Sequence, residues 1–333
     1  MAYFYSINSN AITFLFLKRS TLFLTAVLFL SLNVYAQSGW DLDTVKIGGI
    51  GQVIARKGIK DGPIILFLHG GPGSSRMKQA DVFSNELQKH CMVVQWDQRE
   101  SGKTLALNKT NGPITLDLMV RDTHDLIDTL LKRGNQTKLY LAGESWGTVL
   151  GFRMAERFPR KLFAYLAFSP VTNQVESEKL LLSKLLDDAI TKGNVAEQNE
   201  LAGVKIPFDN AAQLYYLRKW WFRYDGHPIA DKDTTLLKDY IKSWADTWLP
   251  AWSSAMERNL LVTLPKVECP VYFFLGGKDY QTNCEIAKSY YKLLSAPKKE
   301  MYWFDNASHD VLVSDAPKIQ RIIINGILAK MTP

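Results

Sequence analysis

Ile64-Ile65-Leu66-Phe67-Leu68 is an unbroken apolar run, closed by Pro63 on one side and His69-Gly70 on the other. A strand with one wet face alternates polar and apolar residues. A run without alternation predicts a strand buried on both faces, as in a parallel sheet held between helices. Similar runs recur at Met92-Val93-Val94, Leu139-Tyr140-Leu141, Phe163 to Phe168 and Val271 to Leu275, and Glu300 to Phe304 is predicted as the last strand. Helical periods separate them, at Met77 to Lys89, Leu116 to Lys132, Trp146 to Phe158, Cys284 to Leu294 and Pro317 to Lys330. Strands alternating with helices imply an α/β fold with a mostly parallel central sheet and helices on both faces. Val45 to Ile47 and Gln52 to Ala55, joined through Gly48-Gly49, read as an antiparallel hairpin. The long block between Phe168 and Val271 carries helical periods and no strand, which predicts a helical cap inserted after strand 6. The expected organisation is a core over 37–169, a cap over 170–265 and the rest of the core over 266–333.

The first residues read as a leader rather than as part of this fold. Lys18 and Arg19 precede an apolar run from Leu22 to Leu32, and Val34-Tyr35-Ala36 offers a small-residue cleavage pattern before Gln37. The run is about 11 residues, short of the roughly 20 needed to span a bilayer, so residues 1–36 are expected to be a signal peptide and the protein secreted or periplasmic. An uncleaved anchor is the alternative. Lys18 and Arg19 are the charges of that segment, so cleavage removes two of the seven net positive charges. What remains is mildly basic, with no basic block and no RNA-binding or zinc-finger pattern, which argues against a nucleic-acid partner. Cys91, Cys269 and Cys284 show no C-x-x-C spacing, so neither a zinc site nor a redox pair is indicated. Buried free thiols are preferred over a Cys269–Cys284 disulfide.

The strongest chemical signal is Gly143-Glu144-Ser145-Trp146-Gly147, placed directly after the strand Leu139 to Ala142 and directly before a helical pattern. A G-x-S-x-G pentapeptide is common by chance, but strand-turn-helix is the context that a nucleophile elbow requires. The sharp turn holds Ser145 in a strained conformation and projects its hydroxyl into a cleft.

With His69-Gly70-Gly71-Pro72-Gly73 and Trp96-Asp97-Gln98-Arg99-Glu100-Ser101-Gly102-Lys103 in the same order, the chain resembles the α/β-hydrolases, and more narrowly the prolyl aminopeptidase (proline iminopeptidase) family. The resemblance covers the core from about residue 45 to 330 and is poor over the cap. Glu100 and Glu144 stand where that family usually has Gly. The fold uses Ser, then Asp or Glu, then His along the chain. His309, in the loop after the last predicted strand, therefore becomes the general base, and Asp279, after Val271 to Leu275, the carboxylate that orients it. Asp305 and Asp310 suit that order less well. The oxyanion hole is expected from the backbone N–H of Trp146, at a helix start, and of Gly71, in the glycine loop. His69, Asp97 and Arg99 are expected to be structural, the last two as a salt-bridged scaffold beneath the site.

In the cap, Tyr215, Tyr216, Trp220, Trp221, Phe222 and Tyr224 crowd one segment, and Tyr240, Trp244 and Trp248 recur at i, i+4. Such spacing is more often packing than a ligand wall, yet a cap over a serine needs apolar walls, and Trp220 and Trp221 are candidates. In the resembled family, cap carboxylates hold a substrate α-amine. Glu176 and Glu178 are the candidates, although acids in a first helical turn suit the helix dipole equally. The resemblance implies a serine hydrolase forming an acyl-enzyme on Ser145, most simply an aminopeptidase of the prolyl type acting on short peptides, with no metal or organic cofactor. A carboxylesterase and a slow-turnover ligand-binding receptor are the alternatives. An epoxide hydrolase or haloalkane dehalogenase would place Asp at the nucleophile.

Overall fold

The structure is a computed structural model that describes residues 39–108, 114–226, 230 and 233–329. The expected signal peptide lies outside the described residues. Eight strands form one sheet: β1 (Asp41–Ile47), β2 (Ile50–Gly58), β3 (Ile64–Leu68), β4 (Met92–Trp96), β5 (Leu139–Glu144), β6 (Leu162–Phe168), β7 (Val271–Gly276) and β8 (Lys299–Phe304). Their spatial order is β1-β2-β4-β3-β5-β6-β7-β8. Strand β2 pairs antiparallel with β4, and the pairs from β4 across to β8 are parallel. Every residue of β3, β5 and β7 is buried, as their unalternating apolar sequences predict.

Register sorts the side chains between the two faces. Tyr165 and Phe273 project to one face, where they meet Phe152 and Tyr290 from helices. Phe67 sits one step out of phase and projects to the other, against Phe83. The helices of seven or more residues are α1 (Leu116–Arg133), α2 (Trp146–Arg157), α3 (Gln174–Thr191), α4 (Val195–Ala202), α5 (Ala211–Tyr224), α6 (Thr234–Met256), α7 (Cys284–Leu293) and α8 (Ala316–Ile322). The segment Met77 to Lys89, expected as one helix, is instead three short pieces. The side-chain oxygen of Gln320, on α8, accepts from the amides of Glu86 and Leu87 at 2.8 and 3.4 Å, meeting the backbone where the helix breaks.

Helices α3 to α6 form the cap between β6 and β7. Asparagine begins three of them: Asn173, Asn194 and Asn210 each accept from backbone amides in the first turn of α3, α4 and α5. The cap is held together by ionic as well as apolar contacts. Arg218 on α5 makes a two-pronged pair with the fully buried Glu178 on α3, and Glu200 on α4 accepts from both Lys219 and the Trp220 indole.

Candidate active site

Ser145 stands at the junction of β5 and α2 with φ +50° and ψ −117°, a left-handed conformation that a non-glycine residue adopts only under constraint. Its amide donates to the Phe168 carbonyl at 3.0 Å, which fixes the turn to the neighbouring strand. Close packing permits nothing larger than glycine two residues on, since a Cβ on Gly147 would lie 2.0 Å from the Leu68 carbonyl oxygen. The pentapeptide thus brings α2 hard against β3 and leaves the Ser145 hydroxyl at the carboxyl edge of the sheet.

Two loops from the second part of the core meet it there. His309, in the loop after β8, places Nε2 3.0 Å from Ser145 Oγ, and its Nδ1 lies 2.9 Å from Asp279 Oδ2. Asp279 follows β7 and is saturated on its far side. Its Oδ1 accepts from the amides of Gln281 and Thr282, each at 3.0 Å, and its Oδ2 from the Thr282 hydroxyl at 2.8 Å. The His309 carbonyl accepts from Ser169 Oγ at 2.7 Å, which ties that loop to the end of β6. With Nδ1–H donating to Asp279 Oδ2, Nε2 keeps its lone pair toward the serine. Burial disfavours the His309 imidazolium, but the charge and hydrogen bond of Asp279, with Glu144 and Asp310 adding to them, carry its pKa above 6.5. Burial likewise opposes ionisation of Asp279, and the His309 charge and the donors around the carboxylate outweigh it, so its pKa falls below the usual value.

Glu144 is buried beside the nucleophile, and Arg76 neutralises it. The guanidinium donates through Nε to Oε2 at 2.9 Å and through Nη2 to Oε1, and Nη2 also reaches Asp310 Oδ1 at 3.0 Å. Burial works against the Arg76 charge, and its two carboxylate partners more than restore it, raising its pKa. The Asp310 side chain is therefore hydrogen-bonded to Arg76 and acts on His309 through its charge. Glu100, the other position departing from the resembled family, holds φ +55°, the backbone region in which glycine is at ease.

A cavity of about 260 Å³ opens onto Ser145 and His309. Gly70, Gly71, Ser74, Arg76, Glu144 and Gln281 line its core side, and the cap supplies Leu214, Arg218, Trp221, Phe222, Leu237, Tyr240, Ile241, Trp244 and Trp252. The family model described as serine aminopeptidase, S33, matches residues 61–316, and this stretch holds the elbow, Asp279 and His309. The chain belongs to that family. This serine hydrolase is 24% identical to the probable aminopeptidase YbaC of Bacillus subtilis (strain 168) over 286 residues, 80% of this chain and 89% of the relative. Its fold is that of proline iminopeptidase from Mycobacterium smegmatis (TM-score 0.62, 17% identity, 87% of this chain and 98% of that one). The same α/β-hydrolase fold appears in a thermophilic esterase from Thermogutta terrifontis (TM-score 0.57, 17% identity, 88% of this chain and 100% of that one).

Of the site residues expected from sequence, Ser145, Asp279 and His309 come together in one hydrogen-bonded line. Gly71 lines the cavity, and Trp146 is the first residue of α2, where helix amides lack intrahelical partners. The cap expectations need correction. Trp221 lines the cavity and meets the His309 ring edge-on at 6.5 Å, but Trp220 does not line it and bonds Glu200 instead. Neither Glu176 nor Glu178 lines it. Glu176 sits in the first turn of α3, where its amide donates to Asn173, and Glu178 is spent on Arg218 and Gln174. Asp97 and Arg99 do not pair with each other. Arg99 bonds Asp122 at 2.8 and 3.1 Å, whereas Asp97 accepts from Ser75 and the Lys103 amide. His69 is structural, its Nδ1 on the Gly70 carbonyl and its Nε2 on the Gln98 amide, and burial lowers its pKa.

Sequence reasoning missed Arg76, Arg218 and Gln281. A signal for the first existed, because an acid replacing glycine beside a buried nucleophile demands a nearby cation. All three cysteines are free and buried, and burial pushes the Cys91 and Cys269 thiols up to about 12. Among the described residues no group of three or more His, Cys, Asp or Glu could hold a metal ion, and no helix is long and apolar enough to cross a membrane.

Proposed function

We propose that this serine hydrolase is an aminopeptidase that releases apolar N-terminal residues, proline among them, from short peptides through an acyl-enzyme on Ser145. As Oγ attacks the scissile carbonyl, its proton passes to His309 Nε2, and Asp279 stabilises the imidazolium. The oxyanion falls to the amides of Gly71 and Trp146. His309 then protonates the leaving amine, and water repeats the sequence to free the acyl group and regenerate the serine. The observation that carries this reading is the hydrogen-bonded line Ser145–His309–Asp279 opening into a small cavity whose cap side presents five aromatic residues.

Glu176 does not line the cavity, and Glu178 is already paired with Arg218. The carboxylate that faces the cavity beside the nucleophile is Glu144, and with Asp310 it sets two negative groups against the single Arg76 guanidinium. That excess negative charge favours an ammonium. One observation favours the esterase alternative: both Glu144 oxygens already accept from Arg76. Rates on prolyl-naphthylamide and on its N-acetyl form separate the two. A free-amine substrate should be preferred by about 5- to 150-fold, since a buried carboxylate left without the amine costs about 1 to 3 kcal/mol. Equal rates on both, or cleavage of butyrate esters alone, would remove the aminopeptidase reading. Export with cleavage after Ala36 belongs to the same proposal. N-terminal sequencing of the exported protein should begin at Gln37, and an intact Met1 chain in the membrane fraction would indicate an anchor instead.

A further inference from the structure

Trp244, Trp248 and Trp252 follow one another at four-residue intervals and share one face of α6. In sequence such a row looks like packing, but its contacts are more particular. Trp244 lines the cavity, and its indole Nε1–H donates to the Pro72 carbonyl at 2.9 Å across 172 residues of chain. The buried Trp248 lies against the next residue: a Cβ on Gly73 would come within 2.8 Å of Trp248 Nε1, so glycine is the residue that lets the ring reach the loop backbone. Trp248 and Trp252 also meet the ring of Trp146, with centroids 6.3 and 6.2 Å away. The row therefore touches both segments that supply the oxyanion donors, the glycine loop and the start of α2.

The glycine loop has little of its own to hold it. The Ser74 amide closes it on the Gly70 carbonyl at 3.3 Å, and Ser75 ties its exit to Asp97. Between those points Gly71 and Gly73 both have positive φ and no side chain to pack, and the loop approaches the nucleophile so closely that a Cβ on Gly70 would lie 3.2 Å from Ser145 Cβ. We propose that Trp244 is a positioning residue for the oxyanion hole: its bond to the Pro72 carbonyl fixes the loop that presents the Gly71 amide, two peptide units back, so that the cap helix governs the rate of acyl transfer as well as the shape of the pocket. This rests on the assignment of Gly71 as an oxyanion donor in the proposed mechanism. Oxyanion donors act through preorganisation, and a misplacement of about 1 Å near the chemistry can cost about 10²-fold.

Trp244→Phe keeps most of the ring and removes the N–H. On a p-nitrophenyl butyrate assay it should lower kcat by roughly 10- to 100-fold with KM within about twofold. Affinity for a butyl boronic acid, which forms a tetrahedral adduct on Ser145, should weaken by the same factor. Trp220→Phe deletes the same atoms from a cap tryptophan outside the cavity and should leave both quantities at the wild-type level. A wild-type kcat in Trp244→Phe, or a raised KM at constant kcat, would overturn the proposal and leave Trp244 as a wall. If the Phe variant does not fold, benzothienylalanine at position 244 keeps the indole shape without the N–H and carries the same expectations. Turnover that survives in Ser145→Ala, or a boronic acid that does not bind the wild type, would instead bring down the underlying acyl-transfer reading and the proposal with it.

Discussion

Asp279 and Glu178 are both buried carboxylates, each saturated by hydrogen bonds, one at the edge of the sheet and the other in the cap. Asp279 spends its charge on an imidazole that touches the nucleophile. Glu178 spends its charge on Arg218, which holds α3 to α5. Burial and saturation are thus the same in the two regions, and the partner makes the difference. At the sheet edge the partner can change its protonation during a reaction, whereas in the cap it is permanently charged. Changes at Asp279 should therefore appear in rate, and changes at Glu178 in stability.

Ser145→Ala tests the core side most severely. Labelling by an organophosphonate, followed by intact mass, should vanish, and kcat should fall by about 10⁵- to 10⁶-fold with the thermal transition unchanged. Asp279→Asn should cost about 10⁴ in kcat, because the imidazole loses both its tautomer and its counter-charge. Glu178→Ala tests the cap side. Removing one partner of a buried ion pair should cost about 3 to 5 kcal/mol in denaturant unfolding while kcat stays within about tenfold, and Glu178→Leu combined with Arg218→Met should regain most of the loss. A Glu178 variant that is stable but catalytically dead would erase the distinction between the two regions.

The smallest expected effect concerns pH. Neutral His309 is the active base and its pKa lies above 6.5, so the acidic limb of kcat/KM should also lie above pH 6.5. Glu144 contributes to that elevation. Glu144→Gln should therefore move the limb toward lower pH, and a limb that stays in place would mean that Arg76 fully screens Glu144 from the imidazole.

The sheet was legible because a strand buried on both faces leaves an unbroken apolar run, and the catalytic line because an elbow, a strand end and a late loop each have a fixed place in chain order. Glu144 in place of glycine called for a nearby cation, but nothing in the sequence singled out Arg76. Its partners Glu144 and Asp310 lie 68 and 234 residues away, and no local pattern announces a contact of that range. Met77 to Lys89 was misread for a related reason, since the acceptor at the helix break is a glutamine on α8. The cap yielded its helical character, which is a local pattern, but not which of its tryptophans or acids face the cavity. That choice depends on how α3, α5 and α6 rotate against one another.

The Arg76–Glu144 pair also bears on descent. Changing Glu144 to the glycine usual in the resembled family would leave a half-buried guanidinium with Asp310 alone, and changing Arg76 first would strand a buried carboxylate next to the nucleophile. Either single step passes through a less fit intermediate, so the two positions are entrenched together. A graft of the family pentapeptide into this chain would succeed only with a compensating change in a loop nearly seventy residues upstream.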